Sequence, residues 1–116
     1  MKLRMASCRP RTGLPTTYDL VTLLCRTHNL PEPVLEFAFA PNRRFRADYC
    51  WPEAMVILEK QGGIWRPKGA HNTGTALLRD YEKSNLAQLL GYVYLQATPE
   101  QIRNGSVLEM LKEALC

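Results

Sequence analysis

The chain has 116 residues, 46% of them hydrophobic, which is enough for one packed core and too few for two domains. Its formal net charge is +4, and Lys2, Arg4, Arg9 and Arg11 all precede the first acid, Asp19, so the excess lies in an amino-terminal arm ahead of an electrically balanced remainder. Cys8, Cys25, Cys50 and Cys116 show no zinc-ligand spacing, residues 1–15 lack the apolar centre of a signal peptide, and no apolar run reaches membrane-spanning length. The expectation is a reduced, cytoplasmic protein without membrane contact.

Pro10, Gly13 and Pro15 break residues 1–15 into a flexible basic arm, and residues 16–116 form the domain. Such an arm suits a polyanion, because each lysine or arginine beside a phosphate releases a condensed counterion; its plain alternative is a disordered tail. Thr16 or Thr17 can cap a first helix whose apolar positions Leu20, Val21, Leu23, Leu24 and Cys25 recur at helical spacing as far as Thr27. The prolines at 31 and 33 end it. Residues 34–40 then read as a strand, with Leu35, Phe37 and Phe39 on one side and Glu36 on the other.

Residues 45–51 alternate Phe45, Ala47, Tyr49 and Trp51 with Arg46, Asp48 and Cys50, the period-two pattern of a half-buried strand, so Asp48 should point away from the aromatic face. After the Pro52-Glu53 turn, residues 55–58 are an apolar strand. Glu59 and Gln61 leave it on one face and Lys60 on the other, ahead of Gly62-Gly63. Asp48 and Glu59 are thus placed to converge from adjacent strands. Two carboxylates repel unless a cation lies between them, and a hard divalent ion such as Mg2+ or Mn2+ supplies that charge while polarising a phosphate and activating a water. The competing reading makes them ordinary solvated strand charges, and Glu36 is either a third carboxylate of the group or a lone exposed acid.

Residues 64–75 form a polar loop whose Arg66, Lys68 and His71 could close over a backbone phosphate. A helix over residues 76–90, stopped by Gly91, carries Leu78, Tyr81, Glu82, Asn85, Leu86 and Leu89 on one face; Glu82 and Asn85 interrupt that stripe as polar groups suited to lining a site, with Lys83 and Arg79 at its edge. Residues 92–97 are a last core strand. Thr98-Pro99-Glu100-Gln101 is a helix start, and residues 106–115 close the chain as an amphipathic helix serving a core or an interface. The predicted fold class is α/β, element order α-β-β-β-α-β-α, a mixed four-stranded sheet flanked by helices.

Asp48 followed by Glu59-Lys60-Gln61 on the next strand resembles the PD-(D/E)XK motif of the restriction-endonuclease-like superfamily. The ordered set Arg43-Arg44-Phe45-Arg46, Trp51-Pro52, Glu59 with Gly62-Gly63 and Trp65, His71-Asn72-Thr73-Gly74, Asp80-Tyr81-Glu82-Lys83-Ser84-Asn85, Gly91-Tyr92 and Thr98-Pro99-Glu100-Gln101 is more specifically similar to small phage-type and Vsr-like endonuclease domains. The resemblance implies a restriction-endonuclease-like fold and a Mg2+-dependent endonuclease acting on DNA, of phage or mobile-element type. Asp48, Glu59 and the carbonyl of Lys60 would hold the metal, Gln61 would position the attacking water, and Glu82 or Glu36 would add a second metal contact or orient that water. Arg43, Arg44, Arg46, Arg66, Lys68 and His71 would meet phosphates, and a homodimer would suit cutting of both strands. Gln61 departs from the superfamily, which places a lysine there. Either Lys83 replaces that lysine from the facing helix, or the chain is a catalytically inactive nucleic-acid-binding module of the same fold. A third class, a protein-interaction domain, leaves the charges as plain surface.

Overall fold

The computed structural model describes residues 19–61 and 74–116. The basic arm of residues 1–15, the expected caps Thr16 and Thr17, Gly62-Gly63 and the loop cations Arg66, Lys68 and His71 lie outside the described residues.

Helix α1 (Leu20–Thr27) is capped by Asp19, whose carboxylate accepts the backbone N–H of Thr22 at 3.0 Å and the Tyr49 hydroxyl at 2.7 Å. Val21 and Cys25, one turn apart, are its buried side chains, and Asn29 ends it with a left-handed φ of 58°. The prolines at 31 and 33 hold the next segment extended, and strand β1 (Val34–Phe37) follows. It stops short of the expected residue 40. Glu36 has a φ of 52°, which kinks the strand one residue before its last pair, Phe37↔Ala47; Leu35 is left exposed while Phe39 is buried.

Strands β2 (Ala47–Trp51) and β3 (Val56–Lys60) pair antiparallel through Tyr49↔Leu58, Cys50↔Ile57 and Trp51↔Val56. Helix α2 (Gly74–Leu89) then crosses over to β4 (Val93–Ala97), which lies parallel to β3. The sheet order is β1-β2-β3-β4. Val56, Ile57 and Leu58 are buried in succession, as expected of a strand covered on both faces. Helix α3 (Pro99–Arg103) starts with the expected Thr98 cap, completed by Gln101 into a capping box, and α4 (Val107–Leu115) follows.

The result is an α/β fold, a four-stranded mixed sheet between helices. On one face Tyr49, Trp51, Val56 and Leu58 pack with side chains of α1, α3 and α4, including Leu111 and Leu115. The apolar positions of α4 therefore serve the core. On the other face Cys50 and Ile57 pack with Phe39, Phe45 and Ala87 of α2. Phe45 and Ala47 thus part company with Tyr49 and Trp51, and because Ala47 already belongs to β2 the facing changes within the strand, between Ala47 and Tyr49. Among the described side chains of α2 only Ala87 is buried. Leu78, Tyr81, Glu82, Asn85 and Leu89, expected to face inward, are exposed.

Candidate functional site

Counting one pair beyond Tyr49↔Leu58 sets Asp48 opposite Glu59. Alternation from Ile57 puts Glu59 on the side facing α2, while Asp48 sits where β2 changes its facing, between Ala47, packed on that side, and Tyr49, packed on the other. At this level side chains take over from the backbone ladder. The Asp48 N–H donates to Glu59 Oε2 at 2.9 Å, and the Lys60 N–H donates to Asp48 Oδ2 at 2.9 Å. The Lys83 ammonium, descending from α2, donates to Glu59 Oε1 at 2.8 Å. Ala87, one turn further along α2, is small enough to let the helix approach the sheet closely, which brings Lys83 within reach.

Glu59 is 7% exposed and the Lys83 side chain 17%. Burial is the dominant influence on Glu59 and pushes its carboxyl above the ordinary range; the hydrogen bonds from Lys83 and from the Asp48 N–H pull the other way, and the negative charge of Asp48 adds to the rise. Two carboxylates and one ammonium leave the cluster formally one negative charge in excess. Hard oxygen donors with a net negative charge fit Mg2+, which takes one or two carboxylates and keeps several waters. Among the described residues no group of three or more His, Cys, Asp or Glu side chains stands ready to hold a metal, so a bound ion would rely on Asp48, Glu59 and the Lys60 carbonyl.

The sequence-predicted residues divide. Asp48, Glu59 and Lys83 come together, and Lys60 joins through its backbone while its side chain is exposed. Gln61 is exposed just past β3, anchored by its N–H to the Ala97 carbonyl at 2.7 Å. Glu82 and Asn85, expected beside the acids, sit on the outward side of α2; Glu82 instead meets Arg43 at 3.3 Å. Glu36 is exposed on the edge strand beneath its kink. Arg43, Arg44 and Arg46 are exposed on the approach to β2.

Two residues of β4 escaped the sequence reading. Gln96 pairs with Glu59 in the parallel register, and burial, with the charges of Glu59, Asp80 and Asp48 nearby, pushes the phenol of Tyr94 well above the ordinary range. Only the parallel pairing of β3 with β4 brings them there, and no local pattern encodes that register.

No protein-family model, curated protein or solved structure matches the chain.

Proposed function

We propose that the chain is a Mg2+- or Mn2+-dependent endonuclease that hydrolyses phosphodiester bonds in DNA, of the PD-(D/E)XK kind. The observation that carries the reading is the meeting of Asp48 and Glu59, joined by the bond from the Asp48 N–H to the Glu59 carboxylate, with the Lys83 ammonium 2.8 Å from Glu59. A phosphodiesterase needs a place for a cation and a positive group for the charge that develops on the phosphorane, and these three side chains supply both.

Asp48 and Glu59, with the Lys60 carbonyl, hold the ion, which when bound supplies Lewis acidity and a more acidic water. Lys83 stabilises charge on the non-bridging phosphate oxygens, taking the part that a lysine at position 61 plays in the superfamily. Gln61 holds a water by its amide, which can donate and accept but carries no charge. The exposed Arg43, Arg44 and Arg46 contact backbone phosphates on the approach to the acids.

The test is incubation of the purified protein with labelled duplex, single-stranded and branched DNA, with Mg2+ and with a chelator. Metal-dependent cleavage that Asp48→Asn abolishes is the expected result. Salt-sensitive binding without cleavage of any substrate would reassign the chain to a nucleic-acid-binding module, and no retention of DNA at moderate salt would leave a protein-interaction domain.

A further inference from the structure

A cleft of about 470 Å3 lies between the approach to β2 and the first turns of α2, lined among others by Arg43, Arg44, Phe45, Thr75, Arg79 and Glu82. Three guanidinium groups face a single carboxylate there. Two are mounted on one ring: the Arg43 guanidinium lies 4.5 Å from the centroid of Phe45 and that of Arg79 lies 5.7 Å from it. Phe45 is itself buried and stacked on Phe39 at 6.5 Å, so the platform is part of the core. Arginines held over an aromatic ring keep their planar forks of N–H donors for a second partner, and a phosphate matches that fork. The Arg43–Glu82 contact is long at 3.3 Å and half exposed on both sides, which makes it weak and readily exchanged.

The cleft shares its two walls with the acid cluster. The segment bearing Arg43 and Arg44 runs into β2 and Asp48, and Arg79 precedes Lys83 by four residues on α2. That spacing is about 6 Å along the helix axis, whereas successive phosphates of one strand are about 3.4 Å apart along the duplex axis. We propose that this cleft is a second phosphate subsite, in which Arg79 and Arg43 grip the cut strand one or two nucleotides from the scissile bond. The inference rests on the nuclease reading and extends it: the substrate is a continuous strand held at two phosphates, and Arg79 is a positioning residue.

The experiment is DNA binding by the wild-type chain in chelator, followed by fluorescence anisotropy between 50 and 200 mM salt. Each lost phosphate contact lowers the slope of log K against log salt by about 0.9, or about 3.5-fold in affinity change across that salt range. Arg79→Gln and Arg43→Gln should each show that loss. Arg103→Gln, the same charge change on α3 at the opposite face of the sheet, should not. A single neutral methylphosphonate one or two linkages from the cleaved bond should weaken wild-type binding and leave Arg79→Gln unaffected. Metal-dependent cleavage with an unchanged slope in Arg79→Gln would overturn the subsite and leave the nuclease standing. Failure of the wild-type chain to bind or cut DNA would overturn both.

Discussion

The carboxylate of Glu59 accepts the backbone N–H of Asp48 at 2.9 Å, so the two acids are locked together by a bond between a side chain and the main chain. Asp48 in turn accepts the N–H of Lys60 at 2.9 Å. The acids therefore have a structural task, finishing the edge of the β2–β3 pairing, besides the chemical one proposed for them.

Asparagine at position 48 separates the two tasks. Its amide oxygen still accepts the Lys60 N–H, but it brings no charge. Asp48→Asn should melt within about 0.5 kcal/mol of wild type while calorimetric Mg2+ binding disappears and cleavage falls at least ~100-fold. Asp48→Ala removes the acceptor as well and should cost about 1 kcal/mol more, the usual worth of one hydrogen bond.

Lys83 offsets the burial of Glu59, and its removal should show a specific pH dependence. Burial already places the folded-state pKa of Glu59 above its ordinary 4.5, and the bond from Lys83 restrains that rise. In Lys83→Met the rise is larger. An acid whose pKa is higher folded than unfolded binds protons more tightly in the folded state, so its contribution is complete below the unfolded value and is lost as pH climbs through the folded one. Urea melts in chelator should find Lys83→Met destabilised by about 2–4 kcal/mol at pH 7 and by little at pH 4. The double variant Glu59→Gln with Lys83→Met should recover most of the loss at pH 7. A deficit that stays flat between pH 4 and 7 would sink the electrostatic account of this pair.

Gln61 follows the end of β3, two residues after Glu59, where the resembled superfamily carries its lysine. If charge near the phosphate is what Lys83 contributes, the charge can be moved. Lys83→Met should lower kcat at least ~100-fold, and adding Gln61→Lys to it should restore about tenfold or more, measured on the best-cut DNA substrate. Gln61→Lys in the otherwise native chain should change the rate by less than about threefold.

The strands around the acids were legible because the signals are local. A proline turn at Pro52 and an apolar run ending in Glu59 fix the pairing within a few residues, whereas the facing read by alternation held for Tyr49 and Trp51 and failed for Phe45 and Ala47. The capping box at Thr98 and Gln101 was equally plain. What failed was the orientation of α2. Leucines and a tyrosine at helical spacing suggested an inward stripe, yet the layer beneath holds Phe39, Phe45, Cys50, Ile57 and Tyr94, and of that stripe only Leu86 packs against it, half-buried beside the fully buried Ala87. Ala87 won that place, and Lys83 came in with it. Apolar content in a helix marks the inner face only where the facing layer has room, and room is a tertiary property. Gln96 and Tyr94 were hidden for the same reason, since parallel pairing joins segments with no local signal of register.

The orientation of α2 can be checked by two substitutions that the opposite facing would rank in reverse order. Leu89 is 84% exposed, so Leu89→Lys should stay within about 0.5 kcal/mol of wild type. Ala87 is fully buried in the cluster with Ile57 and Cys50, so Ala87→Leu forces added methylenes into a filled space at a cost of about 1–3 kcal/mol. The damage should not stop at stability. Ala87 and Lys83 are one helical turn apart, and levering α2 off the sheet at Ala87 lengthens the 2.8 Å bond between Lys83 and Glu59. Ala87→Leu should therefore lower kcat on cleaved DNA at temperatures where the protein is still fully folded, whereas Leu89→Lys leaves it unchanged. Urea denaturation and single-turnover cleavage on the same preparations measure both, and a Leu89→Lys variant less stable than Ala87→Leu would place the helix the other way round.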